Sequence, residues 1–204
     1  MHWLARIERR ARSWLCGWLL VLAGWPAAWA QVNPAEVTQL QVERTGEGVL
    51  LSASVRFDLP PVVDDALAKG IPMYFVAEAA LYRERWYWYD KRVAFATRHM
   101  RLAYQPLTRR WRLQVSSQPI GNSGLVLGQT FDSREDALAA IQRILRWRIA
   151  EAADVDPEAQ HTIDFRFHLD MSQLPRPFQI GAVGQAEWVI LAVRNQRLVL
   201  EPPR

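Results

Sequence analysis

Two stretches of the 204-residue chain hold side chains whose types and spacing could do chemistry. The first runs from Arg83 to Arg112 and carries nine Lys and Arg side chains against Glu84 and Asp90, a net +7. Residues 31–82 sum to −4 and residues 113–204 to −2, so charge is segregated along the chain. Inside the basic stretch, Trp86-Tyr87-Trp88-Tyr89 would place two indoles on one face of a strand and two phenols on the other. Guanidinium groups beside aromatic rings bind anionic or carbohydrate groups by stacking and paired hydrogen bonds. Trp86, Trp88, Arg92 and Arg101 are therefore the candidate ligand-binding residues. The competing structural account makes one aromatic pair core and the other rim, with arginine stems laid over both.

The second stretch holds His161, Asp164, His168 and Asp170, the only cluster of metal-ligand type in the sequence. On a strand, Asp164, His168 and Asp170 share a face and His161 takes the opposite one. Arg166 sits among them and repels a cation, so a solvated strand face is expected and no metal. Enzyme motifs are missing: there is no G-x-S-x-G, H-E-x-x-H, P-loop or G-x-G-x-x-G. The expectation is a protein without catalytic residues or cofactor. Its alternative is a hydrolase using the Asp and His side chains of residues 161–171.

The elements that must position these residues follow an N-terminal address. Arg6, Arg9, Arg10 and Arg12 precede an eleven-residue apolar run, Trp14 to Gly24, and then Ala28-Trp29-Ala30. These are the three parts of a secretory signal peptide, cut after Ala30, and they predict a periplasmic location. The rival is an uncleaved anchor, but Trp14 to Ala30 is only 17 residues long and contains Pro26. Removal of residues 1–30 takes the net charge from +4 to +1, which with export argues against nucleic acid as a partner. It also removes Cys16, so the domain of residues 31–204 folds without a disulfide and without a membrane span.

The remaining pattern is mostly of period two. Leu40 and Val42, then Leu51, Ala53, Val55 and Phe57, predict a hairpin around Thr45-Gly46-Glu47-Gly48. A second hairpin, 93–104 with 110–117, would set Met100, Leu102 and Tyr104 against Trp111, Leu113 and Val115. Ile163, Phe165, Phe167, Leu169 and Met171 predict the clearest strand, and 188–193 with 197–200 a last hairpin around Asn195-Gln196. Strands are also predicted over 73–81, where Ala77–Ala80 would equally suit a helix, and over 125–131. Two helices are predicted: Val62 to Lys69, with Pro61 before and Gly70 after it, and one from Asp132 or Ser133 whose apolar stripe is Leu138, Ile141 and Leu145. Trp147 and Ile149 fit a continuation of that helix or a new strand equally well. Together these elements predict a mainly β, antiparallel sandwich-like single domain with two helices packed on it.

Tyr82-Arg83-Glu84-Arg85-Trp86-Tyr87-Trp88-Tyr89-Asp90-Lys91-Arg92-Val93-Ala94 and Leu169-Asp170-Met171-Ser172-Gln173-Leu174-Pro175-Arg176-Pro177 carry a family resemblance. With the signal peptide and early hairpin, they resemble the DUF 4390 domain-of-unknown-function family of exported proteobacterial proteins. The resemblance implies a periplasmic protein without assigned activity and a possible membrane sensor kinase as signalling partner. It transfers no catalytic residue. The expected role is a binding or accessory module of the cell envelope, facing a partner with an acidic surface.

Overall fold

Alternation of apolar and polar residues builds most of this molecule, and it is clearest in the computed structural model where a strand has neighbours on both sides. The structure describes residues 35–85, 90–121, 128–156, 159–182 and 188–198. Within them β1 (Glu36–Thr45), β2 (Gly48–Arg56) and β7 (Arg143–Ala150) form a three-stranded sheet in that order. The second sheet has six strands, ordered β6 (Gly128–Phe131), β5 (Arg110–Ser116), β4 (Lys91–Gln105), β3 (Met73–Arg83), β8 (His161–Leu169) and β9 (Leu191–Leu198). Every ladder is antiparallel. The protein is mainly β, with two antiparallel sheets and, among the described residues, three helices in one sandwich-like domain.

The first two hairpins form as their patterns dictate. Gly48 closes β1 onto β2 at a φ of 132°, and a Cβ there would run into the Ala150 carbonyl oxygen. In the β4–β5 hairpin, Met100 lies opposite Val115, Leu102 opposite Leu113 and Tyr104 opposite Trp111. β3, the central strand, is apolar on both faces because other strands or side chains cover both: Met73, Phe75, Ala77, Ala79 and Leu81 point inward, while Tyr74, Val76 and Ala80 are buried on the outward side.

The core lies between the sheets. Phe57, Phe75 and Phe167 meet at its centre, with ring centroids 5.7, 5.3 and 5.8 Å apart. Helix α1 (Pro61–Ala68) adds Val63, Ala66 and Leu67, and Gly70 takes the left-handed conformation just beyond it. Helix α2 (Arg134–Gln142) starts where the Ser133 hydroxyl accepts from the Asp136 amide at 3.0 Å. Arg134 ties the two helices together through Asp64, at 2.6 Å.

Three expectations are corrected here. Leu145 is not on the stripe of α2, because the helix stops at Gln142, whose side chain donates to the Phe57 carbonyl at 2.9 Å. Trp147 and Ile149 then belong to β7 rather than to a longer helix. The register between β2 and β7 shifts between the pairs Leu51–Trp147 and Ala53–Ile144, and Arg146 adopts a φ of 45°, so Leu145 is thrown outward, 65% exposed. Next, the hairpin predicted over 188–200 has no turn at Asn195-Gln196, and its residues 199–200 lie outside the described residues. β9 runs straight through, because Asn195 finds a partner inside the ladder, its side-chain amide donating to Asp164. The last correction is a third helix, α3 (Arg176–Ala182): Pro177 lies in its first turn, where a missing N–H costs nothing.

Of the strand predicted over 125–131, residues 128–131 are observed as β6, and the rest lies outside the described residues. The predicted signal peptide, residues 1–30, also lies outside them.

Candidate functional surface

The six-stranded sheet buries one face against β1, β2 and β7 and turns the other outward. Register decides what the outward face carries. Reading outward from β3, Tyr74 lies beside Arg101, Val76 beside both His99 and His168, Glu78 beside Thr97 and Arg166, and Ala80 beside Phe95 and Asp164. β9 adds Leu191 next to His168 and Val193 next to Arg166. Phe95, Leu191 and Val193 are exposed there, at 51, 47 and 57%.

The candidate ligand-binding residues fare differently. Trp86 and Trp88 lie outside the described residues. Arg92 and Arg101 both lie on the outward face, at opposite ends of β4, about 30 Å apart along the strand. Each stands over an aromatic ring. The Arg92 guanidinium is 5.3 Å from the Phe95 centroid, and that of Arg101 is 5.9 Å from Tyr74. Arg101 also donates to the Gln114 side-chain oxygen at 2.8 Å.

The rest of the basic stretch divides between environments. Arg98 points inward beside Ala77, and burial lowers its proton affinity. Arg110 pairs with Asp132 at 3.2 Å and Arg83 with Asp156 at 3.5 Å. Local positive charge is therefore concentrated less than the sequence count of cations implies.

The His/Asp cluster is dispersed by the same register. His161 is fully buried on the core face, its Nδ1 2.9 Å from the Ala159 carbonyl oxygen and its Nε2 without a partner. Burial holds it below the usual histidine range. Asp164 is engaged by Asn195. Asp170 caps the turn Met171–Gln173: it accepts from the Ser172 amide at 2.9 Å, the Ser172 hydroxyl at 2.6 Å and the Gln173 amide group at 3.0 Å. Burial pushes its carboxyl up, but those bonds and the His168 charge outweigh it, so Asp170 stays below the usual carboxylate range. The Asp-x-Ser-x-Leu-Pro stretch is thus a capping device whose Leu174 is buried. Among the described residues no group of three or more His, Cys, Asp or Glu side chains could hold a metal ion.

One residue of this face was missed in the sequence. His99 joins His168 across Val76, and the Nδ1 atoms of both histidines are buried without hydrogen-bond partners. Burial lowers His99, Asp170 and Glu78 pull it back up, and His168 lowers it again. The strand order β4-β3-β8 creates this row, and no local pattern announces it. At the other end of β3, Glu84 accepts from Thr162 at 2.9 Å and from Arg197 at 2.8 Å, which keeps its carboxyl low.

An antiparallel sandwich whose larger sheet carries cationic, aromatic and exposed apolar side chains on its outward face defines the class of domain. The chain belongs to the family described as Domain of unknown function (DUF4390), whose model matches residues 32–197. No curated protein and no solved structure gives a significant match. No helix among the described residues is long and apolar enough to cross a membrane.

Proposed function

We propose that the protein is a non-catalytic binding or accessory module of the cell envelope, exported to the periplasm by residues 1–30. It presents the outward face of the six-stranded sheet to a partner with an acidic surface, for which the extracytoplasmic part of a membrane sensor kinase is one candidate. The observation that carries this reading is the coincidence, on one face, of Arg92 over Phe95 and Arg101 over Tyr74 with exposed Leu191 and Val193. Cations there provide steering and orientation, and the exposed apolar side chains provide area to bury.

The test uses a partner isolated from envelope extracts. Its binding should weaken as added salt shortens the Debye length from about 10 to about 3 Å. Replacing Arg92 and Arg101 together by Ala should weaken it further with little change in Tm. Binding that ignores both salt and these arginines would remove the cationic face from the account. Export has its own readout: the intact mass of protein from the native envelope should correspond to a chain starting at Gln31, and retention of residues 1–30 would refute cleavage.

A further inference from the structure

We infer that the N-terminal half of β4, Lys91–Ala96, is a docking edge that takes an extended acidic segment of a partner protein as an added antiparallel strand. This deepens, and rests on, the binding-module reading above.

The geometry begins with a mismatch in strand lengths. β4 pairs with β3 from Lys91 to Leu102, but with β5 only from His99 to Gln105. β5 leaves because the Ser116 hydroxyl captures the Gln118 amide at 3.0 Å and Pro119, with no N–H, follows. The last tie is the Thr97 hydroxyl, donating to the Ser117 carbonyl at 3.2 Å. Among the described residues, Lys91–Ala96 has no strand on that side. The register with β3 shifts at Val93, a bulge, and on either side of it alternate residues turn backbone N–H and C=O toward an unfilled edge, which is the template for strand addition.

Beside this edge lies a groove of about 360 Å³, between Val93–Phe95 and Arg148–Glu151, with Asp154 at its end. Of the two carboxylates in its wall, one has a cation beside it and the other a backbone amide. Glu151 pairs with Arg148 at 3.5 Å, and Asp154 accepts from the Glu151 amide at 3.3 Å. The cations of the edge differ. Among the described residues Lys91 and Arg98 make no ion pair, and Arg92 has only the Phe95 ring. Arg98 is half-buried with its charge uncompensated.

Charge also selects the occupant. Two antiparallel copies of this edge would bring two Lys91 and two Arg92 side chains into one short seam that holds no acidic residue, so self-pairing is opposed. An extended segment with acidic side chains on both faces meets Arg92 on one side of the sheet and Lys91 on the other. Its β-branched residues find exposed Phe95.

The experiment uses the full chain and labelled eight-residue peptides of repeating Glu-Glu-Val-Thr, which set Glu on both faces of a strand. Each has a twin N-methylated at the amides of one edge, which keeps the charge and removes the ladder bonds, and a control with Lys in place of Glu. Anisotropy should show salt-sensitive binding of the acidic peptide, weakened at least tenfold by N-methylation and abolished by the Lys exchange. Amide exchange at Lys91–Ala96 should slow on binding, and Arg92→Ala should weaken affinity several-fold. Binding indifferent to N-methylation, or without slowed exchange at Lys91–Ala96, overturns strand addition while leaving a cationic binding face intact. Concentration-dependent dimers that protect the same amides would assign the edge to a second copy and overturn it too. Salt-insensitive behaviour toward acidic peptide and envelope partner alike would overturn both readings.

Discussion

β4 and β8 flank the same central strand, yet they are built on different plans. β8 has a neighbour on both sides along nearly its whole length, and its inward residues from His161 to Leu169 are all buried. β4 is 15 residues long, and only Met100 and Leu102 are fully buried in it. Two neighbours force a strand to sort its residues by face, because a charge turned inward would lie under other strands. With one neighbour, the inward side of β4 opens at the sandwich margin and Arg98 is tolerated there. The difference teaches that strand partnering, as much as hydrophobicity, decides where this fold can store charge.

The largest expected effect tests the facing of β8. Phe167→Ala removes a ring stacked between Phe57 and Phe75 and should cost about 3–5 kcal/mol in chemical denaturation. His168→Ala, one residue along and on the outward face, should cost much less. Equal losses would erase the distinction between the two faces.

A proline scan compares the edges directly. From Ile163 to His168 every residue lies between β3 and β9, so proline should lower Tm at each position. From Arg92 to Ala96 only the positions whose N–H bonds to β3 should be sensitive, alternating on either side of the bulge at Val93. Uniform sensitivity in both strands would show that residues 92–96 have a second neighbour after all.

Acid titration gives a smaller effect with a definite sign. Burial holds His161 below its unfolded value, so the unfolded chain binds the proton more readily. The stability tied to neutral His161 is therefore fully present above about pH 6.5 and is lost as pH falls from there toward the depressed folded value. His99 shifts in the same direction. Denaturation midpoints between about pH 7 and 5 should flatten partly in His161→Leu and further in the double variant with His99→Leu. The smallest effect belongs to β4: Phe95→Ala should change stability by no more than about 0.5 kcal/mol in the same assay.

Much of this fold was legible because period two survives wherever a face is buried. The β4–β5 register, the inward row of β8 and the capped start of α2 follow from Met100, Leu102 and Tyr104, from Phe165 and Phe167, and from Ser133. Leu145 misled because three apolar residues at helical spacing continue past a helix whose end is fixed by Gln142 reaching Phe57, a tertiary contact. Asn195-Gln196 misled because turn chemistry is local, while the Asp164 partner of Asn195 lies 31 positions away. The candidate surface was less legible still. A count of cations carries no parity, so Arg98 and Arg101 looked alike before register put them on opposite sides. The row His99–Val76–His168 exists only through strand order.

The seam between β3 and β8 also has a kinetic side. Thr162 and Glu84 are bonded across it although 78 positions separate them in the chain. The hairpins β1–β2 and β3–β4–β5 need only short loops, whereas this ladder must first close a long one, and loop closure is paid before any contact repays it. Docking of β8 onto β3 and of β7 onto β2, whose Ser52 and Arg146 are 94 positions apart, is therefore expected to set the folding rate. Until β8 docks, the Phe165–Phe167 row and the bare flank of β3 stand exposed together, the most adhesive surfaces the chain possesses. A folding chain of this design needs dilution or a chaperone for as long as that seam stays open.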